Sequence, residues 1–278
     1  MDLVRLPTRG FHFGPVAFEA ARGVERVWLE QRAPVLMASM PISSSLWETF
    51  ADAASYHLSD QGLETWDWGW KPVTPENDFR PLAADSAMVG VGYVDCVAFC
   101  DWLSDASGLR VRLPTEIEFE FAAKAGCNCD RFCEGAAAIR RGCRGYGENA
   151  RRQPPPVTAF APNGFGLRGM HGLIWQWCSD LVGRDGRIGS TAAAAGAELA
   201  TWQGKPVAGT IRVIRGGSFA YPAEFSRCSA RSVSVETDRN FNLGFRVVID
   251  GDIGRERAER RLSDCLAGQG HGRSDRLI

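Results

Sequence analysis

The chain has 278 residues, 45% of them hydrophobic and 23% charged, with a formal net charge of -1 at neutral pH. That length holds one large or two small globular domains, and the composition excludes a disordered or fibrous chain. A charge so near zero gives no electrostatic footing for nucleic acid or an acidic membrane surface, so neither is expected as a partner. Met1 to Gly10 interleaves Asp2, Arg5 and Arg9 with apolar residues, and no segment reaches the apolar run of a signal peptide or a membrane-spanning helix. The expected compartment is therefore the cytoplasm. Nine cysteines cannot all pair within one chain, and in a reducing compartment disulfides are not expected. Thirty-one glycines and nine tryptophans point to a loop-rich fold in which indoles fill the space between irregular segments.

In chain order, residues 1–34 read as an N-terminal segment with no strong periodicity. Ser45 and Glu48 have capping-box spacing, and Leu46, Trp47, Phe50 and Ala54 recur at helical spacing, which predicts a helix over about 45–55. A second helix is predicted over 93–105, with Val94, Val97, Ala98 and Trp102 as its apolar stripe and Gly108 as its stop. Cys96 and Cys100, one turn apart on it, read as buried core residues. Leu109 to Leu113 alternates apolar and basic residues like a half-buried strand. Thr115 and Glu118 repeat the capping-box spacing ahead of a third helix over 115–125, with Ile117, Phe121, Ala122 and Ala125 on its apolar side and Gly126 ending it. The alanine-rich run 191–200 reads equally as helix or exposed loop insertion. Residues 251–278 are expected to be a poorly ordered tail, a frayed helix followed by disordered chain, because no apolar period is strong enough to anchor them. No internal repeat and no linker between two cores is apparent, so a single domain over 35–250 is the economical count.

Four motifs then carry a resemblance. Met37-Ala38-Ser39-Met40-Pro41-Ile42 leads into Leu46-Trp47; Arg112-Leu113-Pro114-Thr115-Glu116 runs on to Phe121-Ala122-Ala123; Asn163-Gly164-Phe165-Gly166-Leu167 precedes Met170-His171-Gly172 and Trp175-Gln176-Trp177. The fourth is Arg215-Gly216-Gly217-Ser218, continued by Arg227-Cys228-Ser229-Ala230-Arg231 and closed by Asn242-Leu243-Gly244-Phe245-Arg246. In this order they resemble the formylglycine-generating enzyme (sulfatase-modifying factor) family, which also includes the C-terminal domain of hercynine oxygenases, the pyoverdine-maturation proteins and the variable proteins of diversity-generating retroelements. The resemblance implies an α+β fold like an elaborated C-type lectin, low in regular secondary structure.

It also implies a chemistry that this chain carries incompletely. In those enzymes two cysteines five positions apart hold copper(I) for oxygen activation. Cys228 matches the second, but Ala223 stands at the position of the first, and linear copper(I) wants two sulfur donors. Cys178 is the candidate substitute by motif position. The resemblance places a structural calcium at the positions of Leu173 and Gln176, where the family has asparagine and glutamate; leucine offers no donor and glutamine no charge, so the expectation is that this site is lost. His171 is expected to be a hydrogen-bonded packing residue. Cys127, Cys129, Cys133 and Cys143 lack the paired knuckles of a zinc site, so a reduced, unliganded insertion is expected, with tetrahedral zinc as the alternative. Arg215, Arg231 and Arg246 are expected to tie loop carbonyls and buried carboxylates together.

Two functional readings follow. One is an oxygen-dependent oxidoreductase or maturation factor with Cys228 as catalytic residue, acting on a cysteine-bearing peptide or a small metabolite. The other is a lectin-like module that binds a peptide, protein or small-molecule ligand, including a retroelement-type variable protein. Its expected ligand surface comprises Phe219, Tyr221, Phe225, Arg231 and Phe241, with Trp66 and Trp68 as further pocket candidates.

Overall fold

A computed structural model describes residues 1–14, 27–31, 33–58, 62–66, 70–76, 78–127, 153–182, 188–189, 200–202, 205–207 and 210–270. Helices α1 (Ser44–Ala54), α2 (Tyr93–Ser107) and α3 (Glu116–Lys124) fall where the sequence predicts them. Their details differ in instructive ways. The hydroxyl that caps α1 belongs to Ser43, which accepts from the Leu46 N–H, and not to Ser45. At α3 the predicted box forms: Thr115 Oγ1 accepts from Glu118 N–H while the Glu118 carboxylate accepts from Thr115 N–H. Gly108 closes α2 in the left-handed region, with φ of 65°, where glycine meets no Cβ penalty.

The buried side of α2 is turned from the predicted stripe. Val94 is 51% exposed, and Cys96, Phe99, Cys100 and Leu103 face the core instead. Asp95 is buried with them at the first turn, where it accepts from Gly92 N–H and pairs with Arg239. Cys96 and Cys100 are buried as expected, and burial pushes both thiols up in pKa.

Two sheets organise the centre. One is antiparallel, in the order Leu3–Leu6, Val35–Ala38, Val248–Asp250, Arg110–Arg112, and so joins both ends of the family-like segment in one ladder. The other runs Arg231–Val235, Ile211–Arg215, Trp175–Val182, Leu243–Gly244, with the last pair parallel. Side chains alternate across a strand, so consecutive residues of this second sheet enter different cores. Trp177 and Ile214 join one cluster with Trp47, Phe99 and Phe245; Cys178 and Val213 join another with Phe119, Phe121 and Met170. A third cluster, with Phe79, Phe160, Leu173, Phe219 and Phe241, lies at the Ser218 end.

The helix expected in the tail forms over Arg255–Gly270, α4, and differs from the expectation in being packed onto the core. Ala258 and Leu262 are fully buried in the first cluster, and Glu259 accepts from the Leu3 N–H at 2.8 Å. The weak sequence period hid this packing because Ala258 and Leu262, with Cys265 and Leu266 beside them, suffice when α1, α2 and the first strand supply the rest of the contact. Residues 271–278 and most of the alanine-rich run lie outside the described residues. Among the described residues no helix is long and apolar enough to cross a membrane.

Candidate functional site

The motif segments converge on α3. It packs on the Gly10–Phe13, Trp175–Val182 and Ile211–Arg215 strands, and the side it turns inward is charged. Glu116, Glu120 and Lys124 recur every fourth residue, so they line one face, and all three are buried, whereas Ile117 is 37% exposed. The apolar face read from the sequence is thus not the whole of the buried surface. Charges survive there because each is paired: Arg215 Nη2 lies 2.6 Å from Glu120, Arg215 Nη1 3.3 Å from Glu116, and Lys124 2.7 Å from Glu120. Arg231 reaches Glu116 from the outer side as a two-pronged guanidinium, its second prong at 2.8 Å. Glu120 also accepts from Gly14 N–H, and Lys124 donates to the His12 carbonyl, which pins the N-terminal strand onto the helix.

Arg215 donates further to the carbonyls of Ser229 and Cys228, at 2.9 and 2.8 Å. Those bonds fix the turn in which Cys228 sits. Its thiol is buried, and the side chain that faces it is His171, with Sγ 3.9 Å from Nε2. His171 is a buried, hydrogen-bonded packing residue as expected: Nδ1 lies 2.8 Å from the Ser226 carbonyl and Nε2 3.3 Å from the Ala123 carbonyl. Ala223 opens a short 3-10 turn, Ala223–Ser226, and supplies no sulfur. Cys178 is buried in the second core cluster beside the Gln176 carbonyl at 4.0 Å, and burial raises its pKa well above that of a free thiol. Ala223 supplies no sulfur, so the residues at the family's two positions offer one thiol and not the two donors of its copper(I) site.

The other candidates divide. Phe219 and Phe241 are not surface residues, which corrects their assignment to the ligand face: both are core, in edge-to-face contact with centroids 5.7 Å apart. Tyr221 is half-buried between Trp175 and Phe225, and Phe225 is 44% exposed. Arg231 keeps a 38% exposed side chain over the Phe13 ring. Trp66 ends the Leu63–Trp66 strand, its side chain outside the described set, and Trp68 lies outside the described residues. Cys127 is disulfide-bonded, against the expectation of a reduced thiol, and a sulfur in such a bond is not a zinc-binding thiolate. Cys129, Cys133 and Cys143 lie outside the described residues.

Sequence reasoning passed over Glu116, Glu120, Lys124 and Asp180. The first three carried a signal, their four-residue spacing. Asp180, buried and accepting from the Glu116 N–H at 2.6 Å, carried none beyond its strand.

Among the described residues, small twisted sheets, three helices around a tryptophan-rich centre and a fourth added behind them define a formylglycine-generating-enzyme-type, C-type-lectin-like fold. Residues 3–251 match the family model described as the sulfatase-modifying factor enzyme 1-like domain, and the chain belongs to that family. It is 30% identical over 236 residues to the formylglycine-generating enzyme of Streptomyces coelicolor, covering 74% of this chain and 71% of that protein. It spans about half the length of the formylglycine-generating enzymes of mouse and Thermomonospora curvata, 51% and 55%, at 29% and 33% identity. Among solved structures it is similar to PvdO from Pseudomonas aeruginosa, with a TM-score of 0.66 and 23% identity over 90% of this chain and 94% of that one. The Treponema denticola variable protein 1 follows, at 0.62 and 19% over 90% and 95%.

Proposed function

We propose that this chain is a copper-independent member of its family, a recognition or maturation factor that binds a peptide or small-molecule ligand without running two-thiolate copper oxidation. One observation carries the reading: the position five residues before the buried Cys228 is an alanine, so the family's pair of sulfurs is one short. The ligand face we assign is the turn between Ser218 and Arg231, where Tyr221 and Phe225 offer a pair of edge-to-face rings and Arg231 a guanidinium set by a buried carboxylate. A second reading, an oxygen-dependent oxidoreductase centred on Cys228, is favoured by the 3.9 Å approach of His171.

Copper(I) titration against a competing chelator separates the two, on the wild type, Cys228→Ser and Ala223→Cys, alongside mass spectrometry of a CxPxR-type peptide. The expected result is no tight copper(I) binding and no formylglycine from the wild type, with binding appearing in Ala223→Cys. Tight one-to-one binding by the wild type that Cys228→Ser abolishes overturns the proposal in favour of the oxidase.

A further inference from the structure

Gln176 and Leu173 are where the family resemblance implies calcium, and neither side chain fits a calcium shell. Leu173 is fully buried in the third apolar cluster beside Phe219. Gln176 is fully buried with both ends of its amide engaged: Nε2 donates to the Gly169 carbonyl at 2.8 Å, and Oε1 accepts from Arg246 Nε at 2.6 Å. A calcium ion asks for six or more oxygens with carboxylate charge among them. Here the one side-chain oxygen already holds a cation.

That cation is unusual in its company. Arg246 is fully buried and donates to three neutral oxygens: Gln176 Oε1, the Ala38 carbonyl at 3.1 Å and the Arg168 carbonyl at 2.7 Å. Among the described residues no carboxylate pairs with it, and burial alone pulls its pKa down to about 9, which leaves it charged at neutral pH. The three oxygens come from the end of the Val35–Ala38 strand, the loop before His171 and the Trp175–Val182 strand. Further bonds draw the same segments together, since Ala38 N–H donates to the Val247 carbonyl and Arg168 N–H to the Ser39 carbonyl. Bringing peptide oxygens of separate segments onto one buried positive centre is what a structural metal does, and a planar fork of donors does it with fixed directions.

We infer that the Leu173–Gln176 segment takes no structural calcium, because its one side-chain oxygen, on Gln176, is committed to the Arg246 guanidinium. This is separate from the ligand-binding reading and survives its failure. The test follows thermal unfolding of the full chain in EGTA, in millimolar calcium chloride and in an equal magnesium chloride control, for the wild type and Arg246→Lys. The wild type is expected to unfold at one temperature in all three media. Arg246→Lys keeps the charge but loses the fork, and is expected to unfold several degrees lower. A wild-type midpoint raised several degrees by calcium but not by magnesium overturns the inference, and so does an Arg246→Lys protein that melts with the wild type.

Discussion

Arg215 and Arg246 sit in two motif segments thirty-one residues apart, both fully buried, and their surroundings are opposite. Around Arg215 burial pulls the pKa down, but Glu116 and Glu120 more than offset it and the net shift is upward. Around Arg246 the described residues supply only neutral oxygens, and burial stands alone. The difference teaches that burial does not by itself set the energetic character of a charge; the oxygens that replace water do. One arginine completes an ionic face of α3, and the other knots loops.

The comparison breaks most readily on the ionic side. Glu120→Gln leaves Arg215 and Lys124 buried without their shared carboxylate and is expected to destabilise the fold by about 3–5 kcal/mol in denaturant unfolding, as removal of one partner of a buried pair does. A loss no larger than that of a surface substitution would show that the network is not electrostatically coupled. On the neutral side, Arg246→Met strands Gln176 Oε1 and the Ala38 and Arg168 carbonyls but also removes the desolvation cost of a guanidinium buried without a carboxylate, which offsets part of the loss, so the net expected loss is roughly 1–3 kcal/mol. If it equalled or exceeded that of Glu120→Gln, the contrast between the two sites would fail. Thr115→Ala removes the cap of the helix that presents Glu116 and Glu120, for a loss of about 1 kcal/mol. A much larger loss would mean that the ionic face depends on the exact seating of the first turn.

The smallest effect is a slope. Burial, followed by the charges of Glu116 and Glu118, raises the Asp180 pKa despite its bond from Glu116 N–H. The folded state therefore holds that proton to higher pH than the unfolded state does. Its contribution to stability is greatest below the ordinary aspartate value and declines as pH rises through the raised one. Asp180→Asn keeps an oxygen for the Glu116 N–H and removes the decline. Its melting temperature relative to the wild type is expected to rise across that acidic window, and parallel pH profiles for the two proteins would contradict the shift.

Much of the scaffold was legible along the chain. The Thr115 box, the Gly108 stop and the order of the four motifs depend on residues a few positions apart, and the structure agrees with all of them. The absence of sulfur at Ala223 was equally plain. The rest was decided at longer range. Ser43 rather than Ser45 caps α1, in a segment whose Ser44 N–H donates to the Ser86 carbonyl. Leu262 anchors α4 only because α1, α2 and the first strand meet it. Phe219 and Phe241 read as surface aromatics until the third cluster closes over them. Sequence spacing fixes which side chains share a face of one element; which face is buried, and whether an arginine there meets carboxylates or carbonyls, depends on partners up to 208 residues away, as between Arg246 and Ala38.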